Sequence, residues 1–92
     1  MEVKVEFFAY LREKMGTASK VVSFSGGTVR DLVYDVGGGP GGTLSEQVMA
    51  GGCLREMVKV LVNGRDVRGL DGLDTELHDG DVVSFFPPVA GG

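Results

Sequence analysis

A single thiol, a single imidazole, five acids crowded between Asp71 and Asp81, and a carboxyl group on the end of "FFPPVAGG" are the groups in this sequence that could carry chemistry. The thiol, Cys53, lies in "AGGCLRE", with no histidine and no basic pair beyond Arg55 to lower its pKa. A persulfide or thioester could form on it, but the surroundings read as those of a small buried hydrophobe. One cysteine permits neither an internal disulfide nor a cysteine-based metal or iron–sulfur cluster. His78 adjoins the Asp79-Gly80 turn without a companion histidine and reads as a solvated turn residue, not a ligand or base. Asp71, Asp74, Glu76, Asp79 and Asp81 lack the ligand spacing of a calcium loop and read as a solvated acidic rim. "GGGPGG" matches the dinucleotide pattern at Gly37, Gly39 and Gly42. A phosphate cradle, however, leaves a strand and opens a helix, whereas this run follows a helical segment and contains Pro40, so the expectation is a flexible loop.

The remaining group is the carboxyl of Gly92, which is ionised at neutral pH and inert until activated. Conversion to an acyl-adenylate by ATP supplies a leaving group, and a sulfur donor can then replace the oxygen to leave a thiocarboxylate, a soft and strong nucleophile. Gly91 and Gly92 lack Cβ atoms, so this end of the chain can thread a narrow channel. Pro87 and Pro88 have fixed φ and no amide hydrogens; they stop ladder hydrogen bonding and project the residues beyond them as extended chain. The four residues after Pro88, Val89 to Gly92, reach at most about 14 Å at roughly 3.3–3.6 Å each. That is enough to carry the working atom from its own domain into a partner's active site.

A rigid body must hold that end out. "VKVEFFAY" places Val3, Val5, Phe7 and Ala9 on one parity and Lys4, Glu6, Phe8 and Tyr10 on the other, the alternation of a half-buried strand with Phe8 on the outward side. "LREKMG" predicts a short helical turn closed by Gly16, and "SKVVSF" a second strand pairing antiparallel with the first. "TVRDLVYDVG" is the main helix: Thr28 and Asp31 form a capping-box-like start, and Val29, Leu32, Val33 and Val36 recur at helical spacing until Gly37. A further helical turn is expected in "LSEQVMAG", then a hairpin through Asn63-Gly64 and a last strand in "HDGDVVSFF" with Val83 and Phe85 on one face and Val82 and Phe86 on the other. This order gives an α+β roll, a sheet of four to five strands with one main helix packed on one face.

Composition narrows the function further. Ninety-two residues with 42% apolar and 24% charged side chains suit one soluble domain despite 16 glycines. Nine basic against thirteen acidic residues give a net charge of −4, which removes the usual electrostatic drive for nucleic-acid binding. The apolar runs are too short for a membrane span and the N-terminus is not patterned as a signal peptide, so a cytoplasmic protein is expected.

Taken together, "VKVEFFAYLREKMG", the helix opening "TVRDL", the hairpin "VNGRDV" and above all "LHDGDVVSFFPPVAGG" resemble the ubiquitin-like sulfur carriers, the family of the molybdopterin synthase small subunit MoaD and the thiamine-pathway carrier ThiS. The likeness covers most of the chain, is weakest from "GGGPGG" to "GGCLRE", and in its closing run is nearer MoaD. It implies a β-grasp fold over residues 1–88 with a flexible Gly-Gly tail at 89–92. It also implies that Gly92, with Gly91 before it, is the site of adenylation and thiocarboxylation by a ubiquitin-activating-enzyme-like adenylyltransferase that uses ATP and a sulfur donor. No cofactor stays bound and no general acid or base belongs to the chain; it is a carrier, at most the non-catalytic subunit of a sulfurtransferase. If the first and last strands are adjacent, as in that family, Phe8 and Phe86 share an exposed patch flanked by Arg12, which matches the family's "LRE" arginine. Phe8, Arg12, Phe86, Pro87, Pro88, Val89 and Ala90 are therefore the expected partner contacts. The acceptor implied is the pterin precursor on the molybdopterin synthase large subunit; the alternatives are conjugation to lysines as a protein modifier, or sulfur delivery to thiamine or another pathway.

Overall fold

The computed structural model describes residues 1–88. Strand β1 (Glu2–Phe7) buries Val3, Val5 and Phe7 and turns Lys4 outward, as its alternation requires. It pairs antiparallel with β2 (Ser19–Ser23), Val3 opposite Val22 and Val5 opposite Lys20. Between them lies α1 (Leu11–Met15), anchored by buried Leu11 and closed by Gly16 at φ 78°. Helix α2 (Val29–Gly37) starts at a full capping box: the Asp31 amide donates to Thr28 Oγ1 at 3.3 Å and the Thr28 amide to Asp31 Oδ2 at 3.0 Å. Its Val29, Leu32 and Val33 are fully buried against the sheet, which supplies the stability a nine-residue helix lacks alone.

Helix α3 (Thr43–Val48) follows, longer than the turn expected, and leads into a small hairpin, β3 (Met49–Ala50) and β4 (Cys53–Leu54), which the sequence pattern does not announce. β5 (Lys59–Val62) and β6 (Arg65–Asp66) are joined through Asn63 and Gly64 at φ 51° and 83°, the paired left-handed angles that an Asn-Gly hairpin turn demands. Two 3₁₀ turns, Val67–Gly69 and Gly72–Asp74, bring the chain to β7 (Val82–Phe86). The five-stranded sheet runs β2-β1-β7-β5-β6; only β1 and β7 are parallel, so it is mixed. Four to five strands and one main helix on one face is the expected roll.

The glycine-rich stretch is a loop, as expected, with a hydrogen-bonded bend inside it. The amide of Gly39 donates to Tyr34 O at 2.7 Å and that of Gly42 to Gly39 O at 2.9 Å, so these donors are spent inside the bend and do not cradle a phosphate. A Cβ on Gly37 would stand 2.6 Å from Leu44 Cβ, and one on Gly42 would overlap the Gly37 carbonyl. Both positions are glycine because α2 and α3 meet too closely for a side chain.

Elsewhere, one side chain bridges three carbonyls of the irregular chain. The Arg68 guanidinium donates to the carbonyls of Val58, Arg55 and Glu56, fixing the approach to β5.

Candidate docking face and the strand that leads to the chain end

The dipeptide Phe-Phe occurs twice, and the sheet places the two copies side by side. Parallel pairing of β1 with β7 sets Phe7 opposite Phe85, and the Phe8 amide donates to Phe85 O at 3.1 Å. Alternation then sends one ring of each pair inward and one outward. Inside, Phe7 and Phe85 stack with centroids 6.0 Å apart in the core. Outside, Phe8 and Phe86 lie face to face, 4.2 Å apart with planes 9° from parallel, on the face that no helix covers. Both are half-buried.

Arg12, on the exposed side of α1, reaches back over the Phe8 ring of this pair. Its Nε donates to Phe7 O at 3.3 Å and its guanidinium carbon sits 5.8 Å from the centroid of Phe8, within cation–π range. The turn that allows it passes through Ala9 at φ 53°. Phe8, Phe86 and Arg12 thus form one cluster, as the strand adjacency implied. β5 extends the face: Lys59 lies opposite Phe86, and half-buried Leu61 opposite Ser84. Neither stands out as a site residue in the sequence, although Leu61 alternates with buried Val60 and Val62 and is legible by parity. Between the strands, Ser84 Oγ donates to Glu6 Oε1 at 3.1 Å and Lys4 pairs with Glu6 at 3.7 Å.

β7 ends at Phe86, the residue before Pro87. Pro87 is buried and Pro88 half-buried, so of the two prolines expected to meet a partner only Pro88 has surface to offer; Pro87 packs into its own domain. Val89, Ala90, Gly91 and Gly92 lie outside the described residues.

The other candidate groups are dispersed. Cys53 is exposed on β4, which corrects the reading of a buried hydrophobe: the β3–β4 hairpin is too short to cover its own outer side. His78 is a solvated turn residue, 3.8 Å from Glu76 and 3.9 Å from Asp81. The acids beside it mostly tie down backbone: Asp79 accepts from the Glu2 amide at 2.7 Å, and Asp81 from the His78 amide at 2.8 Å and from Asn63 Nδ2 at 2.9 Å. Among the described residues no three His, Cys, Asp or Glu side chains gather in a way that could hold a metal ion, and no helix is long and apolar enough to cross a membrane.

This body therefore brings together an aromatic patch and the strand that leads to the chain end, and among the described residues it gathers no metal-ligand cluster. The ThiS family profile matches residues 5–92, from the middle of β1 through the closing glycines. The chain belongs to the ThiS family. Along its whole length this ubiquitin-like sulfur carrier is similar to small archaeal modifier protein 3 of Haloferax volcanii, 42% identical over 97 residues that span all of both chains. It is likewise similar to the sulfur carrier protein CysO of Mycobacterium tuberculosis, 39% identical over 95 residues spanning all of both. Among solved structures, a chain of the Amycolatopsis orientalis BexX/CysO complex superposes with a TM-score of 0.80 at 33% identity, covering 98% of this chain and 99% of that one. The β-grasp fold of these ThiS-family relatives is the mixed sheet and crossing helix described above. These two relatives are named as a modifier and as a sulfur carrier, and the chain is a small protein of that carrier-and-modifier family.

Proposed function

We propose that this protein carries sulfur as a thiocarboxylate on Gly92. The observation that carries the reading is full-length similarity, through residue 92, to relatives named as a sulfur carrier and as a modifier, which share one need: an activatable chain end. In the proposed cycle the Gly92 carboxylate attacks the α-phosphorus of ATP on an activating enzyme and pyrophosphate leaves. Hydrosulfide, already at the sulfide oxidation level when the donor releases it, then attacks the acyl carbon and AMP leaves, so the thiocarboxylate forms with loss of a proton and no change of oxidation state. Gly91 and Gly92 leave room for the partner's pocket to close around the acyl carbon. The Phe8–Phe86–Arg12 cluster, with Pro88 and with Val89 and Ala90 beyond it, docks each partner in turn, since stacked aromatics beside an arginine are the composition of binding hot spots. The setting proposed is cytoplasmic, with ATP used by the activating partner and no cofactor retained.

The narrower assignment, small subunit of molybdopterin synthase delivering sulfur to a pterin precursor on a large subunit, is supported by the closing run "LHDGDVVSFFPPVAGG". A second reading, conjugation of Gly92 to a lysine amine, is favoured by the 42% identity to an archaeal modifier. The two share activation and differ in acceptor. Incubation with the activating enzyme of the same organism, ATP and a sulfur donor should raise the intact mass by the difference between a sulfur and an oxygen atom; an unchanged mass would refute the carrier reading. Affinity capture from the native cell then separates acceptors. A pterin-binding large subunit that takes sulfur from the loaded chain supports the synthase assignment, and Gly92–lysine isopeptides with no such subunit replace it with the modifier.

A further inference from the structure

The sheet has two edges, and they are not alike. β6 is only two residues long, whereas β2 presents five residues with nothing paired to their outer side among the described residues. The hydrogen bonds from the Phe7 amide to Ala18 O and from the Phe24 amide to Met1 O fix which residues of β2 bond to β1. Antiparallel alternation then turns the amides and carbonyls of Val21 and Ser23 away from β1. Ser19 is occupied locally, its carbonyl accepting from Thr17 Oγ1 at 2.8 Å. The edge is therefore blunted at its start and open at Val21 and Ser23. Lys20 is the only charge on the strand, and Val21 is 62% exposed, the kind of edge that soluble proteins usually protect.

Just past the open end, a concavity of about 390 Å³ lies between the residues following β2 and helix α2, lined by Phe24, Ser25, Gly26, Asp31, Tyr34 and Asp35. Its lining thus holds two aromatic rings and two carboxylates. Asp31 spends Oδ2 on the capping box, but Asp35 is exposed and takes part in no ion pair among the described residues. This hollow is on the helix side of the sheet, whereas the Phe8–Phe86 pair is on the open side.

We propose that the outer edge of β2 and this hollow form a second docking surface, independent of the chain end, that takes an extended basic segment of a partner protein as an added strand. The main chain of the segment pairs with Val21 and Ser23. Its side chains alternate between Val21 on one face and Val22 and Phe24 on the other. Antiparallel addition places the N-terminal part of the segment beside the hollow, so a lysine or arginine preceding a short β-branched run meets Asp35 and the free oxygen of Asp31. The net charge of −4 favours the same sign of partner. A carrier so equipped can be held by one protein at β2 while another handles its far face.

The test uses the full chain and the peptide acetyl-Lys-Arg-Val-Thr-Val-Thr-amide, followed by amide NMR. The Val21 and Ser23 resonances should shift and gain exchange protection while Phe8 and Phe86 stay in place. Asp35→Lys should weaken binding about five-fold at low salt. Val21→Pro should abolish binding without loosening β1, because the amide it removes points outward. Equal binding of a peptide N-methylated on its pairing residues, or of an Asp-Glu counterpart, would overturn the proposal. So would Val21 and Ser23 amides that do not move at millimolar peptide.

Discussion

The doubled Phe-Phe offers a contrast between neighbours that differ in little but direction. Phe85 is fully buried against Phe7, so Phe85→Ala should cost about 3–5 kcal/mol through lost burial and the cavity left behind. A domain of this size is stable by roughly 5–14 kcal/mol, so that one change removes a large fraction of the total. Phe86 is half-buried, and its ring is shared with Phe8 at 4.2 Å. Phe86→Ala forfeits roughly half the burial of a large apolar side chain, about 1 kcal/mol, and an aromatic pair of about 0.5–1.5 kcal/mol, or roughly 2 kcal/mol in all. Docking should show the reverse order. As the centre of the patch, Phe86 should contribute at least 2 kcal/mol to partner affinity, so its loss weakens binding about 30-fold or more. Phe85→Ala, assayed where it is still folded, should bind nearly as the parent does. Urea titration gives the stabilities, and calorimetry against the activating enzyme gives the affinities. The reasoning is refuted if Phe86→Ala is as unstable as Phe85→Ala while binding its partner unchanged.

Three more outcomes are expected. Gly42→Ala pushes a methyl into the Gly37 carbonyl and should lower stability by about 1–3 kcal/mol, a fall in melting temperature of several degrees, with sulfur loading retained below the transition. Arg68→Lys cannot reproduce a fork that serves three carbonyls; it should cost about 1–2 kcal/mol and speed amide exchange in β5 (Lys59–Val62), seen by hydrogen-exchange mass spectrometry. One alanine appended after Gly92 should stop loading while the urea midpoint stays fixed; loading of the extended chain would refute the role proposed for that carboxyl.

Periodicity makes β1, α2, β5 and β7 legible because each of these elements buries apolar residues at its own period, whereas β2 reads from its β-branched pair Val21-Val22 and two-residue β6 only from the Asn63-Gly64 turn before it. The same parity argument puts Phe8 and Phe86 outward, and only the strand order is needed to bring them together. The features that sequence does not reveal are short or set by close approach. The β3–β4 hairpin has two residues per strand, too few for a pattern, and Cys53 is exposed as a result. The bend at Gly37–Gly42 resembles a nucleotide loop in composition, but its glycines answer to the proximity of Leu44 and of the Gly37 carbonyl, contacts that appear only after folding. Pro87 reads as part of a projecting arm because its ring ends a ladder, while its burial depends on neighbours that the local sequence does not name. Arg68 looks like any surface arginine, since carbonyls carry no mark in a sequence.

Placing β7 beside β1 at the middle of the sheet has a consequence for synthesis. The Ser84–Glu6 hydrogen bond spans 78 positions, and β5 reaches β1 only through β7. During translation the ribosome must therefore release nearly everything through Phe86 before the sheet can close, and such long-range pairing is slow to form. A nascent chain cut short before that point lacks the central strand that joins the two halves of the sheet.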